Sequence, residues 1–107
     1  MALNRIQTSD STEYKHYLTF SRIPTAVHCW FPSGNKTNPI ITMIKFKEPD
    51  GDIVIIRDIL CQYFEQCCLG GDATVEFKCQ IIYQNRKRDV VLFYFPKMLK
   101  WEMTFLN

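Results

Sequence analysis

The sequence predicts a mainly β protein, a small antiparallel meander of about six strands that curls into a twisted sheet or a barrel. Three observations support this class. Apolar and polar residues alternate with a period of two along several segments, and turn-forming residues separate these segments. The chain has 107 residues, of which 47% are hydrophobic, and this is enough to bury one core. We therefore expect a single β domain at residues 13–107 behind a loose polar tail at residues 1–12.

The segment at residues 11–22 is the first that has any structural pattern. Asp10 and Glu13 have the spacing of a helix capping box, whereas the apolar residues between Tyr14 and Phe20 also fit a strand. The patterns leave a short helix and a strand equally open here. Residues 25–31 are rich in β-branched and aromatic side chains and predict the first clear strand.

Residues 40–47 predict the next strand, with Ile40, Ile44 and Phe46 on one face and Lys45 and Lys47 on the other. The residues that follow, Glu48-Pro49-Asp50-Gly51, give the most specific turn signal in the chain. Proline fixes its own φ at one corner, and glycine tolerates the positive φ of a G1 bulge, so a type I turn is expected. Residues 52–57 should therefore return antiparallel to the preceding strand.

Residues 58–69 fit two structures. At helical spacing Ile59, Tyr63 and Phe64 belong to one apolar stripe, whereas at period two the same segment alternates as a strand. We favour the strand, because a long partner follows at once through the Gly70-Gly71-Asp72 turn.

The last third of the chain predicts three further strands. Residues 74–84 alternate most regularly, residues 84–88 form a polar hairpin tip in which Asn85 can adopt a left-handed conformation, and residues 90–95 are apolar on both faces. The last range predicts a central strand. After a turn at Pro96, residues 99–105 predict a half-buried strand whose inner face begins at Leu99.

Cysteine usage and the first residues predict a cytoplasmic protein. Residues 1–10 lack the apolar stretch of a secretory signal, and no apolar stretch approaches the length needed to cross a membrane. The five cysteines are odd in number and have no framework of spacings, so we expect reduced thiols that mostly fill the core.

Charge is distributed unevenly along the chain, although the net charge is only +2. Residues 48–75 contain one arginine and six acidic residues, whereas lysine and arginine exceed acidic residues both before and after them. Either these segments neutralise one another across strands, or they form a surface of two signs that attracts one partner.

The sequence offers little material for catalysis, and we expect no enzyme, no cofactor and no metal. His28 and Cys29 are adjacent in a strand and should project to opposite faces, so they cannot act as a base and a nucleophile. No motif for binding a nucleotide, a dinucleotide or a catalytic metal is present. A metal site assembled across strands from Cys29, Cys61 and Cys79 stays open as an alternative.

The sequence favours a protein that acts by binding another protein or a copy of itself, through an aromatic surface that includes Trp30. The alternative is a module for single-stranded nucleic acid, in which the basic tip at residues 86–88 binds phosphates and exposed aromatic residues stack on bases. A small inhibitor or accessory protein of a mobile genetic element ranks below both. The candidate binding residues are Arg86, Lys87, Arg88, Lys78, Tyr94 and Trp30.

Overall fold

The computed structural model describes residues 21–32 and 39–106, and these residues form one antiparallel sheet of seven strands. The strands are β1 (Ile23–Trp30), β2 (Ile40–Lys47), β3 (Ile53–Ile56), β4 (Ile59–Leu69), β5 (Asp72–Tyr83), β6 (Arg86–Phe95) and β7 (Lys100–Phe105). The described residues include no helix, so none of them lies in a helix capable of spanning a membrane. The predicted mainly β class is confirmed, with seven strands instead of about six.

Two predicted features lie outside the described residues. These are the loose tail at residues 1–12 and, apart from Ser21 and Arg22, the segment at 11–22 that fits either a helix or a strand.

The strand order is β3-β2-β1-β7-β6-β5-β4. Five of the six ladders join strands that are consecutive in sequence, as a meander requires. The sixth joins the first strand to the last, because β1 pairs with β7. The sheet therefore curls as a barrel does, but it stays open at a seam between β3 and β4, which no ladder joins.

The curled sheet encloses the main core on its inner face. The Cα atoms of β2 and β4 come within 8 Å of each other across the seam, so side chains from both ends of the sheet meet. Irregular register at Cys29 in β1 and between Cys61 and Tyr63 in β4 bends these two strands. The buried inner residues are Ile41, Ile44, Phe46, Ile56, Cys61, Phe77, Cys79, Ile81, Val90, Leu92 and Met103.

The central strand β6 is buried on both faces, as its composition predicts. Val90 and Leu92 belong to the inner core, whereas Val91, Phe93 and Phe95 form a second cluster with Leu69 on the outer face. The outer face of the sheet is therefore apolar and buried at its centre.

The predicted turns are confirmed in detail. The Gly51 amide donates to the Glu48 carbonyl at 2.8 Å, Gly51 has a φ of 98°, and the Asp50 carboxylate accepts from the Asp52 amide. At the tip between β5 and β6, Gln84 and Asn85 both have positive φ values, which is typical of a two-residue type I′ hairpin.

Two details of register differ from the sequence prediction. Ile40 does not share the face of Ile44 and Phe46 as predicted. It is exposed, and Ile41 is buried beside Ile44 instead, because the register shift opposite Cys29 changes the face on which the earlier residues of β2 lie. The basic tip is also shorter than expected, since Arg86 already belongs to β6. The preference for a strand at residues 58–69 is confirmed by β4.

Replacing Ile44, which is fully buried, tests the inner core. We expect Ile44→Ala to lower the free energy of unfolding by about 2–5 kcal/mol, because it removes buried methyl groups and leaves a cavity. Ile55→Ala, at a half-exposed position on the neighbouring strand, is the matched control and should cost less than about 1 kcal/mol. Urea denaturation measures both, and similar losses would contradict this assignment of the core.

Candidate binding site

The sheet has a notch on one side of β1, where this strand extends beyond its partner. The β1–β7 ladder consists of three pairs, and the last joins Thr25 to Trp101. β1 continues to Trp30, so residues 26–30 have no ladder partner on the β7 side among the described residues. Alternate residues of an antiparallel strand present their N–H and C=O groups to the same side. Among the described residues, the notch therefore leaves a short free edge at residues 26–30, whose backbone groups can pair with another strand.

An open cleft of about 500 Å³ lies where the β1–β7 ladder ends and reaches the start of this notch at Ala26 and Val27. Its walls come from β1 and from the start of β7. The lining residues are Pro24, Thr25, Ala26, Val27, Leu99, Lys100, Trp101 and Glu102. The lining is mostly apolar, as in many ligand-binding clefts.

Exposed apolar side chains border the notch. Leu99 lines the cleft and is 79% exposed, and it lies beside Met98 in the turn that precedes β7. Trp30, at the far end of the free edge, is 55% exposed. Large side chains that stay in water at an open strand edge are typical of surfaces that bind another chain.

The backbone at Leu99 adopts a conformation that leucine rarely takes. Its φ is +53°, and its amide donates to the Phe95 carbonyl at 2.8 Å, which closes the turn. The sequence predicts that the inner face of the last strand begins at Leu99, and this prediction is wrong. The turn extends through Leu99 and directs its side chain into water instead of into the core.

Aromatic packing holds Trp101, which lines the cleft, in place. The ring centroids of Trp101 and Tyr94 are 4.9 Å apart, and those of Trp101 and Phe77 are 5.2 Å apart. Phe77 in turn stacks on Phe64, which contacts the exposed ring of Phe31. Trp101 is therefore packed against the inner core.

One acidic side chain balances the basic groups near the notch. Glu102 lies 3.1 Å from the Lys100 ammonium and 3.5 Å from the Arg22 guanidinium. Both cations also lie over the ring of Phe95, at 5.2 and 5.9 Å from its centroid. These contacts hold two basic side chains beside Glu102 at the start of β7.

The candidate residues from the sequence do not form one surface. Arg86 and Lys87 are exposed at the start of β6, and Arg88 packs its guanidinium 4.8 Å from the centroid of Phe105. Tyr94 is eight residues along the same strand, about 26 Å away, and packs on Trp101 at the notch. The basic residues and the aromatic residues therefore lie at opposite ends of the sheet.

Lys78 is separated from Arg88 in another way. It donates to the Gln62 side chain at 3.4 Å on the outer face, whereas Arg88 is on the inner-face register opposite Ile81. Of the six candidates, the structure brings only Trp30 and Tyr94 to the region of the notch. Leu99 and the free edge of β1 were missed, because strand patterning does not show where a ladder ends.

The cysteines occupy several environments. Cys61 and Cys79 are buried and directly opposed on β4 and β5, and Cys29 is half-buried on β1. Burial raises the pKa of Cys29 to about 11. A hydrogen bond between the Cys61 and Cys79 thiols, together with burial, raises the pKa of Cys79. These thiols are suited to packing, whereas Cys68 is exposed.

Glu76 is a buried acidic residue on the outer face of β5. Burial, and then the negative charge of Glu65 directly across the ladder, raise the pKa of the Glu76 carboxyl to about 7. Cys67, two residues from Glu65 on the same strand, has its pKa raised by burial and by both carboxylates. The outer face thus holds two carboxyl groups and one thiol close together.

Comparison of the chain with protein-family models, with curated protein sequences and with solved structures finds no match.

Glu76→Gln tests the buried carboxyl through the dependence of stability on pH. A carboxyl whose pKa rises from 4.5 to about 7 on folding favours the folded state below pH 4.5, and this contribution is lost as the pH rises through 7. In metal-free buffer, we expect the variant to gain stability relative to the wild type between pH 5 and 8, by up to about 3 kcal/mol. Glu65→Gln, the matched control, should lower the pKa of Glu76 and so weaken the dependence of stability on pH. Parallel stability curves for Glu76→Gln and the wild type would contradict the raised pKa.

Proposed function

We propose that this protein is a non-catalytic binding domain that recognises an extended segment of a partner protein at the notch between β1 and β7. The observation that carries the proposal is the end of the β1–β7 ladder at Thr25, five residues before β1 itself ends at Trp30. A free strand edge beside an apolar cleft can take a peptide as an additional strand.

The notch supplies both parts of such recognition. Backbone groups of residues 26–30 can pair with the peptide backbone, which provides affinity that depends little on sequence. Alternate side chains of a bound strand point to one face, so every second peptide residue would enter the cleft beside Val27 and Trp101. Leu99 and Trp30 then cover apolar residues of the peptide from the two ends.

The size of the notch favours a single extended segment over a second copy of the sheet. The free edge is about 17 Å long and is bordered by the turn that contains Leu99. A single strand can lie along an edge of this length, whereas edge-to-edge pairing of two folded sheets needs open space beside the edge.

The backbone at Leu99 supports a role in binding. A leucine with positive φ raises the free energy of the folded state, and the exposed side chain of Leu99 offsets little of this by burial. Stability alone would favour glycine or asparagine at this position. An exposed apolar side chain in a strained conformation is therefore better explained by a contact with a partner than by stability.

Peptide selection tests this function directly. The full chain is presented to a library of random peptides, and the selected peptides are synthesised and titrated into labelled protein while backbone amide resonances are recorded. We expect extended peptides with alternating apolar residues, and the largest shifts at residues 25–30 and 98–101. Selected peptides that shift mainly the amides of β3 or β4 would contradict the proposal and indicate binding at the seam.

Leu99→Asn separates binding from stability. We expect this variant to raise the free energy of unfolding by about 0.5–1 kcal/mol, because asparagine tolerates positive φ, and to weaken peptide binding at least tenfold. The matched control is Leu60→Asn, which replaces another exposed leucine, on β4, and should leave binding unchanged. Equal affinities for the two variants would exclude the notch as the binding site.

Replacing Arg86 and Lys87 by alanine distinguishes the nucleic-acid alternative. Both side chains are exposed, and Arg88 is left in place because it packs on Phe105. Peptide binding should be unchanged in this double variant and should depend weakly on salt. Tight binding of single-stranded oligonucleotides that falls steeply with salt, and that is lost in the variant, would show that the basic end is the functional surface.

A further inference from the structure

Three side chains with metal-binding atoms converge on the outer face of β4 and β5. Glu65 lies directly opposite Glu76 in the ladder, and Cys67 lies opposite Thr74, one step further along the same face. One atom from each of Glu65, Cys67 and Glu76 can be chosen so that all three lie within 4.8 Å of one another. The Cys67 sulfur is 3.6 Å from a Glu65 carboxylate oxygen.

Buried polar atoms without a hydrogen-bond partner favour ligand binding at this place. Glu76 is 7% exposed, and its Oε2 atom has no hydrogen-bond partner in the described part of the chain. The neighbouring Thr74 is 2% exposed, and its hydroxyl oxygen is likewise without a partner there. Native proteins rarely leave such atoms unsatisfied, and two carboxylates directly opposed across a ladder repel each other.

We propose that Glu65, Cys67 and Glu76 form a site for a divalent transition-metal ion, with zinc as the best match. A cation would neutralise the two opposed carboxylates and satisfy the free oxygen of Glu76. It would also replace the thiol proton of Cys67, because a metal ligand must be deprotonated, and that proton would pass to solvent.

The donor set selects the type of metal. Zinc binds thiolate sulfur at about 2.3 Å and carboxylate oxygen at about 2.0–2.2 Å, so its ligand atoms lie about 3.5 Å apart, a separation that small side-chain movements provide here. Magnesium and calcium prefer sites made of oxygen atoms alone, and more of them. Three protein ligands leave a fourth tetrahedral position open, and the exposure of Glu65 allows water to reach it.

Other groups on the described residues fit a metal less well. Glu48, Asp50 and Asp52 also cluster, but Asp50 accepts from the Asp52 amide and Glu48 accepts from the Tyr83 hydroxyl, so turn and core contacts explain two of these carboxylates. The site considered from the sequence, Cys29 with Cys61 and Cys79, does not appear among the described groups whose ligand atoms converge.

Cobalt(II) provides a direct test, because a cobalt–thiolate bond absorbs in the near ultraviolet and zinc displaces cobalt from such sites. The full chain, reduced and freed of metal, is titrated with cobalt and then with zinc. We expect a charge-transfer band that saturates at one equivalent of cobalt and disappears on addition of zinc. Absence of the band with correctly folded protein would overturn the proposal.

Variants assign the ligands. Cys67→Ser should abolish the band, whereas Cys68→Ser, at the exposed neighbouring position, should keep it at full intensity. Glu76→Gln should weaken cobalt binding at least tenfold while circular dichroism shows an unchanged fold. A band that persists in Cys67→Ser and disappears in Cys61→Ser would place the metal on the buried thiols and refute this site. Peptide binding at the notch is measured separately, so the failure of one proposal leaves the other standing.

Discussion

The pairing of β1 with β7 is the contact on which the rest of the structure depends. Only three residue pairs join these strands, yet they connect the first described strand to the last and so turn a linear series of hairpins into a curled sheet. Curling brings β2 towards β4 and encloses the inner core. A flat meander of the same strands would leave that apolar face in water, which would cost most of the stability that burial provides. The same short ladder creates the notch, because β1 is longer than the stretch of β7 that pairs with it.

The outer face of the sheet is also partly buried. A sheet with one face exposed to solvent would carry polar residues there, but the centre of this face consists of Val91, Phe93 and Phe95. Glu76 lies directly opposite Phe93 in the ladder and shares this buried layer, which is why its carboxyl has a raised pKa. A buried acid beside a second acid and a thiol lowers stability unless something neutralises it. This cost supports the proposed role of the cluster at Glu65, Cys67 and Glu76, because an exposed group of acidic residues would carry little such cost.

The two proposed sites lie on separate features and have separate physical origins. The notch results from the lengths of the strands and from the turn at Leu99, and it offers backbone edge and apolar surface. The cluster on β4 and β5 results from register, because direct opposition in a ladder brings Glu65 to Glu76 and Cys67 to Thr74. Both sites keep locally unfavourable features, a strained leucine in one and a buried carboxyl in the other. Such features are expected where function opposes stability.

The sequence by itself determined the class, most of the strands and the turns. Period-two patterning and the chemistry of Pro49, Gly51 and Asn85 act over a few residues, so these signals do not depend on contacts between distant strands. The tertiary structure alone decided that β1 meets β7, that Ile41 replaces Ile40 in the core, and that Leu99 lies in water. Pairing between distant strands, a register shift and the end of a ladder depend on contacts with residues far along the chain. The candidate sites arise from those contacts. The sequence therefore pointed to Trp30 and Tyr94 by their residue type. It could not show the notch, nor that Glu65 lies opposite Glu76 in the ladder.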